Sequence, residues 1–225
     1  MIYLDNASTT PLTPQVKAYI ISLLDIYQNP SSLYQSGVTV RTIIEQARNN
    51  VAKFINGKPE NIIFTSGGSA ANSLLIKGIT SESLAKNEYE IFYSPTAHKS
   101  MTKACESCFY HTPLRVDQYG AINLTFLKRV LSECWMKPLV CVEWGNSEIG
   151  TINDIAAIAE IVHAYNGILF VDATGYIPTC KVDMKQMNCI DFLSFSGHKL
   201  HALKGVGVLY RNNDCKIKPL IYGSQ

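Results

Sequence analysis

The sequence predicts an α/β fold: a three-layer sandwich with a mostly parallel, mixed sheet between two layers of helices. Short apolar runs typical of buried strands alternate with amphipathic stretches of helical period from residue 61 onward. Strands that alternate with helices favour parallel pairing, with helices on both faces of the sheet. The composition, 47% hydrophobic and 17% charged, is that of a globular chain with enough apolar side chains for a substantial core.

Two helices are predicted before the first strand. Thr13 as N-cap and Pro14 at the first helical position begin a helix whose apolar face extends to Tyr27. The second helix carries an apolar stripe from Val40 to Ile55, and Asn56-Gly57 ends it.

The alternation then defines the rest of the chain. Strands are predicted at 61–65, 89–94, 112–116, 139–144, 168–172, 190–195 and 205–210. Helices are predicted at 69–79, from 98 to about 109, from 124 to about 134 and, after a cap at Asn153 or Asp154, up to residue 165. No internal repeat, low-complexity tract or linker separates these segments.

Size and charge exclude several classes of protein. The 225 residues fit one large domain, and a net charge of +2 without a basic tract argues against nucleic acid or an anionic membrane as the main partner. The N-terminus does not resemble a signal peptide, and no apolar run approaches the ~20 residues of a membrane helix. Seven scattered cysteines suggest reduced thiols. We therefore expect a soluble cytoplasmic protein.

The segment Ser194–Lys199 is the centre of the predicted chemistry. It is the end of an apolar strand that runs into a loop, and a second strand-like segment follows at residue 205. Ligands of α/β proteins usually bind in such loops, where a partly desolvated lysine amine can form a Schiff base. The alternative is an ordinary solvated loop lysine at position 199.

A glycine-rich turn, Ser66–Ser69, joins a predicted strand to a predicted helix. Free backbone N–H groups and the helix dipole favour an anion there, and phosphate is the natural guest. The turn matches neither a Walker loop nor a G-x-G-x-x-G fingerprint. It could equally be a turn that binds no ligand.

Two further polar residues follow predicted strands. Asp172 ends a very apolar strand, where a carboxylate needs a partner: a pyridinium nitrogen, or else a helix cap or a structural ion pair. His98 follows the strand at 89–94 and opens a helix; a structural role is the alternative to a catalytic one.

Cys105, Cys108 and His111 recur every three residues. A zinc site needs four ligands, and no second pair with suitable spacing is evident, so thiols on one helix face are favoured over a metal site.

One cofactor would use the glycine-rich turn, the aspartate, the histidine and the lysine together. Pyridoxal 5'-phosphate (PLP) needs a lysine aldimine, a charged partner for its ring nitrogen and a cradle for its phosphate.

At these residues the sequence resembles the cysteine desulfurase family, PLP enzymes of the class V aminotransferase group with the type I fold. The resemblance extends from Tyr3 to about Gly223. Its matching blocks occur in order: Tyr3–Pro11, Asn29–Ser32, Phe64–Ser69, Glu148–Thr151, Val171–Ala173, Ser194–Lys199 and Lys204–Gly207.

The resemblance implies a role for each residue. Lys199 would form the internal aldimine, Asp172 would pair with the pyridine nitrogen, and His98 would stack on the ring and assist proton transfer. In the family, the sulfur of cysteine passes to an enzyme cysteine as a persulfide, and alanine is released. The implied phosphate ligands are Gly68, Ser69, Ser196 and His198.

The sequence also departs from the family pattern. Gly175 replaces a glutamine that contacts the cofactor's phenolic oxygen, Ser147 replaces an asparagine of the cofactor-binding set, and Ala70 replaces an acidic residue. Family members continue through a C-terminal domain that carries the persulfide cysteine and the substrate-binding arginine. None of the cysteines here matches the persulfide position, and Cys105 falls in a predicted helix.

The resemblance therefore implies an N-terminal arm at 1–15 and a PLP-binding large domain at 16–225, without the C-terminal domain. Two hypotheses follow. The first is a desulfurase-like enzyme for L-cysteine or a related amino acid, with a lyase or a transaminase as close variants. It would need a homodimer partner or a complementing C-terminal polypeptide. The second is a catalytically degenerate PLP-holding or protein-binding module.

Overall fold

A computed structural model describes residues 2–80, 88–212 and 214–222 of the chain. In these residues the helices are α1 (Pro14–Leu23), α2 (Gln35–Phe54), α3 (Gly68–Thr80), α4 (Lys99–Glu106), α5 (Leu124–Glu133) and α6 (Ile155–Ala164). The strands are β1 (Ile62–Thr65), β2 (Tyr89–Tyr93), β3 (His111–Pro113), β4 (Lys137–Glu143), β5 (Ile168–Asp172), β6 (Phe192–Ser196) and β7 (Gly207–Arg211).

The strands form one sheet in the order β1-β7-β6-β5-β4-β2-β3. β7 is antiparallel to both of its neighbours, β1 and β6. The pairs β2–β3, β2–β4, β4–β5 and β5–β6 are parallel. The predicted α/β fold with a mostly parallel, mixed sheet is therefore confirmed.

The side chains of the central strands alternate between two apolar clusters, one on each face of the sheet. In β5, Leu169 and Val171 face the cluster that includes α5 and α6. Ile168 and Phe170 face the cluster that includes α3 and α4. Both faces of β5 are covered, so all five of its residues are buried, as a parallel sheet requires.

Helix caps account for several of the boundaries. Thr13 Oγ1 accepts a hydrogen bond from the Val16 amide at 3.2 Å and begins α1. Asp154 Oδ1 accepts from the Ala157 amide at 3.0 Å and begins α6. These are the residue types and positions at which the sequence predicts helix starts.

Two predicted helices are shorter than expected. α1 ends at Leu23 instead of continuing to Tyr27, whose side chain is 87% exposed. α4 ends at Glu106, and Phe109 beyond it is 75% exposed. In both cases the helical apolar period continues in the sequence, but these side chains have no burial to stabilise further turns.

The strand register brings polar residues together at one edge of the sheet. Glu143 ends β4 opposite Asp172 at the end of β5, and Asp172 lies opposite Ser194 in β6. This carboxyl edge is where parallel α/β sheets bind ligands. None of the helices in the described ranges combines the length and the apolar character needed to cross a membrane.

Candidate functional site

Lys199 lies in a cleft at the carboxyl edge of the sheet. A 3-10 turn, Gly197–Lys199, follows β6 directly and carries the lysine there. The cleft has a volume of about 630 Å³, and Lys199 shares its lining with Ser147, Gly175 and Thr10. Lys199 is partly buried, so it is not the freely solvated loop lysine that the sequence left as an alternative.

The Asp172 carboxylate is buried, with 6% of the residue exposed, and each of its oxygens accepts one hydrogen bond. Its Oδ2 accepts a hydrogen bond from Asn72 Nδ2 at 2.9 Å, and its Oδ1 accepts from the Thr174 amide at 2.9 Å. Asn72, in α3, is itself oriented by Ser194 Oγ, which donates to Asn72 Oδ1 at 2.6 Å. These bonds hold the carboxylate at a fixed place at the end of β5.

A hydrogen-bond chain connects His98 with Asp172. The Ser100 amide donates to His98 Nδ1 at 3.1 Å, and Ser100 Oγ lies 2.8 Å from the same nitrogen. Asn72 Nδ2 lies 3.0 Å from Ser100 Oγ and also reaches the Asp172 carboxylate. His98 is the N-cap of α4 and its side chain is exposed, which leaves the ring accessible.

The predicted phosphate ligands lie around the start of α3. Gly68 and Ser69 are its first two residues, and Ser69 is exposed. A Cβ placed on Gly68 would lie 3.5 Å from the Ser196 Cβ, so the glycine turn and the end of β6 are neighbours. Ser196 is 2% exposed, and its Oγ is buried without a hydrogen-bond partner in the described part of the chain. An oxyanion would satisfy that hydroxyl.

His198 is held by the N-terminal segment. Its Nδ1 lies 3.1 Å from Thr9 Oγ1, and its carbonyl accepts hydrogen bonds from the Thr10 amide and Thr10 Oγ1, both at 2.9 Å. Burial, and then the cations of Lys199 and Lys204, lower the pKa of His198. The imidazole is therefore neutral near pH 7 and can donate one hydrogen bond.

The three departures from the family pattern have different surroundings. A Cβ placed on Gly175 would clash with the Gly145 carbonyl oxygen, so the backbone of the neighbouring loop fills the space where a side chain would begin. Ser147 lies on the cleft, where its hydroxyl is available to a ligand. Ala70 lies in the first turn of α3 and contributes no polar group.

Sequence reasoning missed three polar residues of this edge: Asn72, Thr174 and Glu143. Asn72 looks like an ordinary helical residue until the fold places it beside Asp172. Glu143 is 5% exposed, and its Oε1 accepts from Thr96 Oγ1 at 2.7 Å. The signal available for Glu143 was a carboxylate at the end of an apolar strand, as for Asp172.

The cysteines of the described ranges form no disulfide with one another. Burial, and then the neighbouring Cys105, raise the pKa of Cys141 well above its usual range. Burial raises the pKa of Cys134 to about 11. A raised pKa keeps a thiol protonated and unreactive. Among the described residues, no group of three or more His, Cys, Asp and Glu side chains is arranged to hold a metal ion.

Comparison with known proteins identifies relatives over nearly the whole chain. The aminotransferase class-V family model matches residues 2–225. The cysteine desulfurase IscS of Dictyoglomus turgidum is 36% identical over 227 residues, which cover 99% of this chain and 57% of that protein. The cysteine desulfurase IscS of Methanosarcina thermophila is 35% identical, and the matched residues cover 99% of this chain and 55% of that protein. The chain thus spans little more than half the length of these relatives.

Solved structures of similar proteins also cover nearly the whole chain. A NifS-like protein superposes with a TM-score of 0.92 at 29% identity and covers 99% of this chain and 62% of that one. A structure described as SspA in complex with cysteine gives a TM-score of 0.90 at 29% identity, with 100% and 65% covered.

Proposed function

The chain belongs to the aminotransferase class-V family, and from this premise we propose that it is a PLP-dependent, cysteine desulfurase-like enzyme. We propose L-cysteine or a related amino acid as its substrate, because the chain's relatives include cysteine desulfurases. The observation that carries the proposal is the cleft in which Lys199 lies, because Ser147, Gly175 and Lys199 of its lining belong to the loops that follow β4, β5 and β6.

The residues of this edge fit the chemistry of PLP. A buried carboxylate suits a protonated ring nitrogen, and Asp172 is buried with both oxygens oriented. An unpartnered buried hydroxyl beside a helix start suits a phosphate, and Ser196 supplies it. An amine in a cleft suits the cofactor's aldehyde, and Lys199 supplies it.

In this proposal each residue binds or orients a part of the bound cofactor or substrate. Asp172 would hold the ring nitrogen, and Ser147 would hydrogen-bond to the ring substituents. Lys199 and His98 would carry protons to and from the substrate. When bound, PLP supplies the electron sink that weakens bonds at the α-carbon of an amino acid. The phosphate would lie against Gly68, Ser69, Ser196 and His198.

The proposal extends to domains, partners and location. We propose that residues 1–15 form an N-terminal arm and residues 16–225 a PLP-binding large domain, in a cytoplasmic protein. We further propose that full turnover needs a second polypeptide, either a second copy or one that supplies the C-terminal part. Exposed apolar side chains in the arm and just after α1 support a partner, among them Leu4 and Leu24, 88% and 72% exposed.

A catalytically degenerate PLP-holding or protein-binding module is the second candidate. The contact of Gly175 with the Gly145 carbonyl favours it, since it leaves no room for the side chain that contacts the cofactor in the family. Such a module would bind the cofactor or a partner protein but would not turn over amino acids.

Covalent mapping tests the proposal. The protein is incubated with PLP, reduced with borohydride and digested, and the modified lysine is identified by mass spectrometry. We expect the label on Lys199, its loss in Lys199→Ala and its retention in Lys204→Ala. A label on another lysine, or none, would remove the site assignment.

Turnover then separates the two candidates. Holoprotein that has not been treated with borohydride is given L-cysteine. Alanine and sulfide are then measured with and without a thiol reductant. Product formation supports the enzyme, and a Lys199 label without turnover for any amino acid or partner supports the degenerate module.

A further inference from the structure

Two hydroxyl groups at the carboxyl edge are buried without a hydrogen-bond partner. In the described ranges, Thr174 Oγ1 and Ser196 Oγ are two of three such side-chain atoms, and the third is Glu143 Oε2. Buried hydroxyls are nearly always hydrogen-bonded, because an unsatisfied one costs about 1–3 kcal/mol. Two of them at one place therefore indicate a polar ligand.

Both hydroxyl-bearing residues flank the first residue of α3. A Cβ placed on Gly68 would lie 3.2 Å from Thr174 Oγ1 and 3.5 Å from Ser196 Cβ. The first N–H groups of a helix have no partner within the helix, and the helix dipole favours negative charge there. Only 2% of Ser196 is exposed, so bulk solvent does not satisfy its hydroxyl. The hydroxyls and the helix start together favour the oxygens of an anion.

The position of Thr174 is tied to that of Asp172. The Thr174 amide donates to Asp172 Oδ1 at 2.9 Å, and the Ala173 amide between them donates to the Ser194 carbonyl at 2.9 Å. The segment after β5 is therefore fixed against β6. Thr174 is thereby held in a fixed place beside the carboxylate that we propose for the ring nitrogen.

We propose that Thr174 is a phosphate ligand of the cofactor, with its Oγ1 donating to a phosphate oxygen beside Ser196 and the first turn of α3. This rests on the proposed PLP-dependent function and adds a residue to its site. Thr174 is adjacent to Gly175, which has no side chain that could contact the cofactor. In this assignment the Thr174 hydroxyl contributes to binding of the phosphate group and not of the ring.

Paired titrations with PLP and pyridoxal, which lacks the phosphate, test this assignment. The dissociation constants are measured from the visible absorbance of the lysine adduct for the wild type, Thr174→Val and Thr174→Ser. Thr42→Val is the control: its hydroxyl donates to the Val38 carbonyl on an exposed face of α2. A hydrogen bond to a charged group is worth about 1.5–3 kcal/mol, so we expect Thr174→Val to weaken PLP binding by roughly ten- to a hundredfold.

The same variant should leave pyridoxal binding unchanged, and Thr174→Ser should restore most of the PLP affinity. Equal losses for PLP and pyridoxal would overturn the assignment, because Thr174 would then act on the ring or on the fold. An unchanged PLP affinity in Thr174→Val would overturn it too. Circular dichroism of each variant checks that the fold is retained.

Inorganic phosphate, followed by 31P NMR line broadening, separates this inference from the proposed function. If the wild type forms no adduct with PLP, the proposed function fails. Phosphate binding that is strong in the wild type and weak in Thr174→Val would then still support the anion site. Phosphate binding that is equal in both, or absent in the wild type, would overturn it.

Discussion

Asn72 is a single residue that connects two groups of the proposed site, Asp172 directly and His98 through Ser100. Its amide nitrogen lies 2.9 Å from Asp172 Oδ2 and 3.0 Å from Ser100 Oγ, which in turn contacts His98. Its oxygen accepts from Ser194 Oγ, and the side chain is completely buried. A buried amide with all these partners orients its neighbours as well as stabilising them.

Replacing Asn72 with leucine should leave Asp172 Oδ2 without a donor. We expect a loss of about 1–3 kcal/mol in the free energy of unfolding, because a buried carboxylate oxygen becomes unsatisfied. PLP affinity should fall as well. Urea denaturation and PLP titration measure the two effects. Asn50→Leu on the exposed face of α2 is the matched control, and equal midpoints for the two variants would contradict the prediction.

His198 gives a pH dependence whose direction can be stated. Its pKa in the folded protein is lowered, first by burial and then by Lys199 and Lys204. As the pH falls, the unfolded chain therefore binds this proton before the folded protein does. The stability contributed by neutral His198 is complete above its unfolded pKa of about 6.5 and is lost as the pH falls toward the lower folded value.

We predict that His198 titrates below about pH 6.5 in the free protein, and that inorganic phosphate raises its pKa, since an anion favours the imidazolium. NMR of the histidine ring protons measures both, with His198→Gln to assign the signal. The wild type should also lose stability relative to His198→Gln as the pH falls from about 7 to 5. A titration midpoint above that of a free histidine would refute the prediction.

At the scale of elements, the N-terminal segment fixes the loop that carries Lys199. Thr10 donates its amide and hydroxyl to the His198 carbonyl, and the His201 amide donates to Thr10 Oγ1 at 2.7 Å. His201 Nδ1 also lies 2.9 Å from the Pro11 carbonyl oxygen. A segment nearly 190 residues away in sequence therefore closes one side of the cleft.

Thr10→Val keeps the shape of the side chain and removes both hydroxyl hydrogen bonds. We expect amide exchange in 197–204 to become roughly fivefold faster, since about 1 kcal/mol of local stability is lost. Hydrogen exchange followed by mass spectrometry measures this. Thr39→Val, which removes a hydroxyl bond on the exposed face of α2, is the control. Unchanged protection of this loop in Thr10→Val would show that the arm does not hold it.

Most elements could be predicted from local sequence because their causes are local. Two helix starts are fixed by local cap hydrogen bonds, those of Thr13 and Asp154. The strands β4 and β5 are recognisable from their own apolar residues. The antiparallel orientation of β7 and its pairing with β1 could not be predicted, since the two strands are far apart in the chain. Pairing between distant strands depends on the whole packed sheet and not on either segment.

At the scale of the whole molecule, the site residues also divide into those with a local sequence signal and those that depend on distant contacts. Lys199, Asp172 and His98 can be proposed from the sequence, because each lies at the end of an apolar strand or in the segment just after one. Asn72 and Thr174 were missed, since their importance arises from contacts across the sheet edge. The contact of Gly175 with the Gly145 carbonyl is likewise tertiary: it joins the loops after β4 and β5.

The N-terminal segment and the region of α1 expose apolar side chains. α1 has no buried residue, and Leu24 and Tyr27, just past its end, are 72% and 87% exposed. In the arm, Ile2 and Leu4 are 86% and 88% exposed. Exposed apolar patches larger than a few hundred Å² usually mark interaction surfaces, and these side chains are candidates to form one.

We predict a homodimer at micromolar concentration that buries this surface, because its removal from water is favourable by about 25 cal/mol per Å². Light scattering and sedimentation velocity measure the mass. Leu24→Glu combined with Tyr27→Glu should shift the protein toward the monomer, since it places charges in the apolar contact. Gln46→Glu combined with Asn50→Glu on exposed α2 is the charge-matched control. A wild-type monomer would refute the homodimer and leave a complementing polypeptide as the partner to seek, whereas a dimer unaffected by the first pair would place the interface elsewhere.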